Sequence, residues 1–183
     1  MRNKIRLNIR LTQQSHSNIE KAIKLKEEGN LMFKASKYKT AIVSYTLALK
    51  ENIDDDKELV SILHSNRAAS HFYLKNFRSA LNDCVFARKC NPKNIKSIYK
   101  GAECCLELKL YDDAVKWCEM GFTISKDDKK LKEIKAKSLT SKVSFKAGQL
   151  VVVVVVYVCV LFCDKYILIL LKRRKLSKEI SAK

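Results

Sequence analysis

The chain has 183 residues, room for one domain and an extension, and its 47% hydrophobic content permits a real core. Four glycines and one proline argue against a turn-rich all-β fold and for helices. The net charge of +18 is uneven, with more than half of it in residues 1–18 and 143–183. Such a balance admits nucleic acid, anionic lipid or acidic peptide as partners without choosing among them.

Residues 1–18 carry Arg2, Lys4, Arg6 and Arg10 and lack a continuous apolar core, so no secretory signal is read there. An acid-free, arginine-rich start has some transit-peptide character, but a frayed basic lead is the preferred reading. A helical period starts at Ile19 and runs through Ala22, Ile23, Leu25, Leu31 and Met32. Gly29 falls inside it, at a cost of ~1 kcal/mol relative to Ala, which makes sense if a neighbouring helix packs on that backbone. Residues 37–39 are the turn, and Ala41, Ile42, Tyr45, Ala48 and Leu49 form the buried stripe of a second helix. Asp54, Asp55 and Asp56 lie in the next loop and can cap the following helix. Further helices are predicted over 58–74, 77–89, 93–108 and 112–124, the second of these ending before Asn91-Pro92. Asp112 and Asp113 suit the positive end of the last. A seventh helix over 127–142, with Leu131, Ile134 and Leu139 on one face, covers the final pair.

These helices repeat. Ala68, Ala80, Cys84, Ala87 and Pro92 sit at steps of 12, 4, 3 and 5, and a shift of 34 lands on Ala102, Ala114, Cys118, Gly121 and Lys126. Gly29, Ala41, Tyr45 and Ala48 keep the same first three steps at an offset of 39, the surplus falling in the loop near 52–57. Small residues at a period of 34 mark a helix–turn–helix repeat, because the two helices of each unit must approach closely. The predicted fold is all-α: three repeats over 19–126 and a capping helix over 127–146. A basic lead over 1–18 precedes them, and a hydrophobic and basic tail over 147–183 follows.

The pattern is identified as the tetratricopeptide repeat. The phrases KLKEEGN, SNRAAS, NFRSALND and AVKWCEMG, within residues 19–142, resemble heat-shock protein 90 co-chaperones whose repeat domain carries a carboxylate clamp. The resemblance implies a non-enzymatic adaptor, cytoplasmic and also nuclear. Its partner would be the acidic C-terminal tail of heat-shock protein 90, with heat-shock protein 70 as a second. The family's clamp pattern falls on Lys26 and Asn30 of the first repeat, Asn66 of the second, and Lys96 and Lys100 of the third. The spacing is physically coherent: Lys26 and Asn30, like Lys96 and Lys100, are i, i+4 on one helix face, and Asn66 lies 34 residues before Lys100. Lysines supply charge and amides supply directed N–H groups to a carboxylate. Where the pattern most often has Arg, this chain has Lys100, a point donor rather than a planar fork. Phe72 and Tyr99 are candidate peptide-contacting aromatics, although core packing is preferred for both. Trp117 reads as structural.

No enzyme, metal site or cofactor is expected. His16, His64 and His71 are scattered, and no Gly-rich phosphate loop appears. The seven cysteines are odd in number and form no CxxC pair, so they read as free thiols of a reducing compartment, mostly buried. A nucleic-acid binder ranks last, since only the charge supports it and no recognition motif is present; no nucleic acid is expected as a partner.

The resemblance stops after Lys142, where the family continues into a further domain, so a truncated form is expected. Instead comes an apolar run over 150–171, beginning with Leu150 and six valines and ending at Leu171. As a helix it spans ~33 Å, against a hydrocarbon core of ~30 Å. Its sixteen Leu, Ile, Val and Phe residues offer ~5–10 kcal/mol, and Asp164-Lys165 costs ~5–7 kcal/mol at mid-bilayer. Lys172, Arg173, Arg174 and Lys175 make a basic flank. A tail anchor, which would make the chain a membrane receptor of the same repeat type, competes with a segment translated from non-coding or alternatively spliced sequence. The second is preferred, because a low-complexity run follows an abrupt break in the pattern.

Overall fold

The structure is a computed structural model that describes residues 13–155 in full except Asn52 and Asp54, and helix limits from Arg2 to Ile180. Among the described residues there are seven helices and no strand: α1 (Arg2–Lys34), α2 (Tyr38–Leu49), α3 (Lys57–Tyr73), α4 (Phe77–Cys90), α5 (Ile95–Glu107), α6 (Tyr111–Phe122) and α7 (Lys129–Ile180). They divide into two compact units, Met1–Leu139 and Thr140–Lys183. The first is the repeat stack, made of the pairs α1/α2, α3/α4 and α5/α6 and closed by the start of α7.

Two helix limits differ from the sequence reading. Helix α1 starts at Arg2 rather than near Ile19, and residues 2–18 hold neither Gly nor Pro to stop it. Helix α7 runs on to Ile180 instead of ending near 142, and the stretch from 143 to 180 holds no Pro and a single Gly, Gly148, to stop it.

Each pair turns through the same device. Ser36, Lys75 and Lys109 are left-handed, with φ of 59°, 60° and 61°. The residue after each donates its N–H five residues back: Lys37 to Met32 O (2.9 Å), Asn76 to His71 O (2.9 Å) and Leu110 to Cys105 O (2.8 Å). The left-handed residue itself bonds three back, as Ser36 does to Phe33 O at 3.0 Å. This pattern satisfies the carbonyls left open at a helix end. A side chain there costs about 1–2 kcal/mol, which the capped carbonyls offset. The helix starts are held by side chains: Asp56 accepts from Leu59 N (2.9 Å), Asn94 from Ser97 N (3.2 Å) and Asp128 from Leu131 N (3.0 Å).

Small residues let the helices of a pair close together. A Cβ on Gly29 would lie 2.5 Å from the Tyr45 ring, and one on Gly101 would lie 2.8 Å from the Trp117 ring. The backbone approach expected at Gly29 is therefore made by Tyr45. In the middle pair Ala68 and Cys84 stand at the same separation of 16 residues, both fully buried. Trp117, only 6% exposed, is structural.

The apolar core has two parts. One, in the first pair and the start of α3, is built on Ala22, Ala41, Tyr45, Ala48, Leu59 and Leu63. The other joins the second and third pairs to α7 through Ala68, Cys84, Ile98, Trp117, Cys118 and Leu131. Among the described cysteines Cys84, Cys104, Cys105 and Cys118 are buried free thiols and Cys90 is half-buried. Burial pushes the Cys105 thiol up to about 12 and the Cys118 thiol up to about 11. Cys159 and Cys163 lie outside the described side chains.

Polar groups tie the first two pairs together. Arg67 of α3 grips Asp83 of α4 with two bonds, Nε to Oδ2 at 2.9 Å and Nη2 to Oδ1 at 2.6 Å. Its Nη1 reaches back to Thr46 Oγ1 of α2 at 3.1 Å. His64 Nδ1 lies 2.9 Å from Asp83 Oδ1 and donates to it, since a carboxylate only accepts.

Candidate functional site

Successive inner helices α1, α3 and α5 meet side by side. Asn66 Nδ2 of α3 donates to Asn30 Oδ1 of α1 at 3.0 Å, and Lys100 Nζ of α5 lies 4.0 Å from the centre of the Phe72 ring on α3. These two contacts bring the inner helices of successive units together along one face of the stack.

Asn30 is oriented from both sides. Its Oδ1 also accepts from the Tyr45 hydroxyl at 2.8 Å. With that oxygen engaged twice, its two N–H groups point away from Tyr45 and Asn66 and stay available to an acceptor. Asn66 spends one N–H on Asn30 and keeps the other. Burial pushes the Tyr45 hydroxyl up to about 12, so it stays a donor across the physiological range. Tyr45→Phe leaves the ring against Gly29 and removes one hydrogen bond. A loss of ~0.5–1.5 kcal/mol in stability is expected, measured as a lower midpoint of urea unfolding with an unchanged slope.

The cations differ among themselves. Lys26 is half-buried and Lys96 exposed, and neither has a hydrogen-bond or ion-pair partner among the described residues. Lys100 is engaged: its Nζ donates to Glu103 Oε2 at 2.6 Å, while Lys130 Nζ at the start of α7 reaches Glu103 Oε1 at 2.9 Å. Burial pushes the Glu103 carboxyl up, but the hydrogen bonds from Lys100 and Lys130 outweigh it and hold the group below the usual range. Of the five sequence-derived positions, Asn30 and Asn66 are joined directly. Lys100 stands beside Phe72, and no contact links Lys26 or Lys96 to the others among the described residues.

Phe72 is half-buried and offers its face to Lys100, so it is more than packing. Tyr99 is tied locally: it donates to Asp128, which pushes its hydroxyl up to about 12, and Lys130 lies 4.8 Å from its ring centre. The sequence reading took Tyr45 as a buried core position and missed its bond to Asn30, and it did not single out Glu103. The signal for Glu103 was present, since the repeat offsets carry Asn30 onto Ala69 and then onto Glu103.

In the second unit, Leu150 to Val155 are exposed, from 52% to 66%. Within the described residues one helix, over Lys129–Val155, is long and apolar enough to cross a membrane by length and composition. The rest of the apolar run over 150–171, with Asp164, Lys165 and the basic flank, lies outside the described side chains, as do Arg2, Lys4, Arg6 and Arg10.

No family model matches the chain. Human tetratricopeptide repeat protein 4 is 49% identical over 119 residues, covering 65% of this chain and 30% of that protein. The chain thus spans about a third of the length of that curated relative. Among solved structures, the Hsp90 co-chaperone Cns1 from Saccharomyces cerevisiae superposes with a TM-score of 0.68 at 28% identity, covering 72% of this chain and 42% of that one. The first repeat domain of Spaghetti (RPAP3), bound to the HSP90 peptide SRMEEVD, superposes with a TM-score of 0.62 at 28% identity, covering 67% of this chain and 94% of that one.

Proposed function

This chain is a tetratricopeptide repeat protein similar to tetratricopeptide repeat protein 4, and from that premise we propose that it is a non-enzymatic co-chaperone. Its groove along α1, α3 and α5 binds the acidic C-terminal peptide of heat-shock protein 90, with heat-shock protein 70 as a second partner. The reading assigns Lys26, Asn30, Asn66, Lys96 and Lys100 to the peptide's carboxylates. What carries it is the amide pair of Asn30 and Asn66, joined at 3.0 Å across two repeats with N–H groups left over for an acceptor. Two unengaged lysines, one on α1 and one on α5, supply charge. The HSP90 peptide held by the similar repeat domain of Spaghetti (RPAP3) gives the ligand class.

The test is a calorimetric titration of the 183-residue chain with SRMEEVD, as free acid and as C-terminal amide. The reading requires the free acid to bind more tightly. Equal affinity of the two forms overturns it.

A second reading has its own observation, the exposed apolar stretch from Leu150 to Val155. It makes the chain a membrane-anchored receptor of the same type. Resistance of the membrane-associated chain to alkaline carbonate extraction is expected if the segment inserts, and release into the supernatant removes this reading.

A further inference from the structure

The groove already contains a carboxylate. Glu103 sits on α5 seven residues after Lys96 and three after Lys100, on the same helix face as both. The repeat offsets of 39 and 34 place it at the position that Asn30 holds in the first unit and Ala69 in the second. So the first repeat presents an amide at this register, the second a methyl group, and the third an acid. The acid is not idle. It takes a bond of 2.6 Å from Lys100 and one of 2.9 Å from Lys130, with 22% of its side chain exposed. Any carboxylate arriving at Lys100 meets a donor already engaged and a like charge beside it.

We propose that Glu103 is an internal competitor for Lys100 that sets the groove's affinity for acidic C-terminal peptides, with Lys130 as the cation that holds it when Lys100 is released. This rests on the peptide-binding reading above. The exchange is balanced: the peptide gives Lys100 a carboxylate, and Glu103 keeps its bond to Lys130. Lys100 then needs only a side-chain rotation, staying near the Phe72 ring, 4.0 Å away. Lys130 therefore belongs to the site's control although it lies on the capping helix and not on a repeat.

The test compares variants of the 183-residue chain titrated with SRMEEVD. Glu103→Gln keeps the shape and removes the competing charge, so tighter binding by about 3- to 10-fold is expected. Glu107→Gln, one turn on and exposed, removes the same charge away from Lys100 and is expected to change affinity by less than about twofold. Lys130→Ala frees Glu103 to pair with Lys100 alone, so weaker binding is expected. Lys100→Ala is expected to cost more in the Glu103→Gln background than in the native one, the signature of a shared partner. Thermal unfolding of each variant near the native midpoint establishes that the change lies in the site. Equal affinity of Glu103→Gln and the native chain, or an equal gain from Glu107→Gln, overturns the competitor role. If Lys96→Ala weakens binding while Glu103→Gln changes nothing, the competitor falls and the peptide reading stands. If neither the native chain nor Glu103→Gln binds the peptide, both fall.

Discussion

Asp83→Ala is expected to destabilise the repeat stack by about 3–5 kcal/mol, because it strands the Arg67 guanidinium with Thr46 as its remaining partner. Asp83 is 4% exposed and carries two bonds from Arg67 and one from His64. Burial alone would raise its carboxyl, but those hydrogen bonds, with the charge of Arg67, outweigh it and hold the group below the usual carboxylate range. A depressed folded-state value fixes the sign of the pH dependence. The stabilisation is complete above the unfolded-state value of ~3.9 and is lost as pH falls through the folded-state value. Thermal unfolding at neutral pH should show a drop of about 10–20 °C in Asp83→Ala. The gap between native and variant should narrow below pH ~4, where the native chain loses the charge as well. A midpoint unchanged at neutral pH would mean that the Arg67 network contributes nothing net.

Lys96→Ala is expected to weaken binding of the free-acid peptide by about 10- to 150-fold, the equivalent of one charge-assisted hydrogen bond of ~1.5–3 kcal/mol. Lys96 is exposed and without a partner among the described residues, so its removal leaves no buried group unsatisfied. Stability should therefore stay within about 0.5 kcal/mol of native. The same titration at higher salt should weaken binding of the native chain more than that of Lys96→Ala, because one fewer charge faces the ligand. Unchanged affinity in Lys96→Ala would remove Lys96 from the site.

The repeat was legible because close packing leaves a mark in residue size. Ala68, Ala80, Cys84 and Ala87 stand where helices touch, and each is fully buried. The helix ends near Asn91-Pro92 and Asp56 were legible through proline and capping chemistry. The turns were harder to read, since Ser36, Lys75 and Lys109 adopt a conformation usually marked by glycine. Of the site, the amides and lysines came from the family resemblance, with which their spacing along each helix is coherent. Their internal partners were not legible: Tyr45 comes to Asn30 from the antiparallel helix, and Lys130 comes to Glu103 from a helix outside the repeats. Spacing along one helix reports its own face, and it carries no information on what a neighbouring element brings to that face.

The seam between the two apolar clusters has a mechanical consequence. The first helix pair meets the second through Leu59 and Leu63 of α3 and through bonds from Arg67 to Thr46 and from Asn66 to Asn30, a cluster separate from and smaller than the one the later pairs share. Linear arrays open where neighbour coupling is weakest. Amide hydrogens of α1 and α2 should therefore exchange with solvent sooner than those of α4 to α6, and the chain would unzip from its amino-terminal pair. Because Asn30 belongs to that pair, a ligand bridging it to α5 would act as a latch on the fraying end.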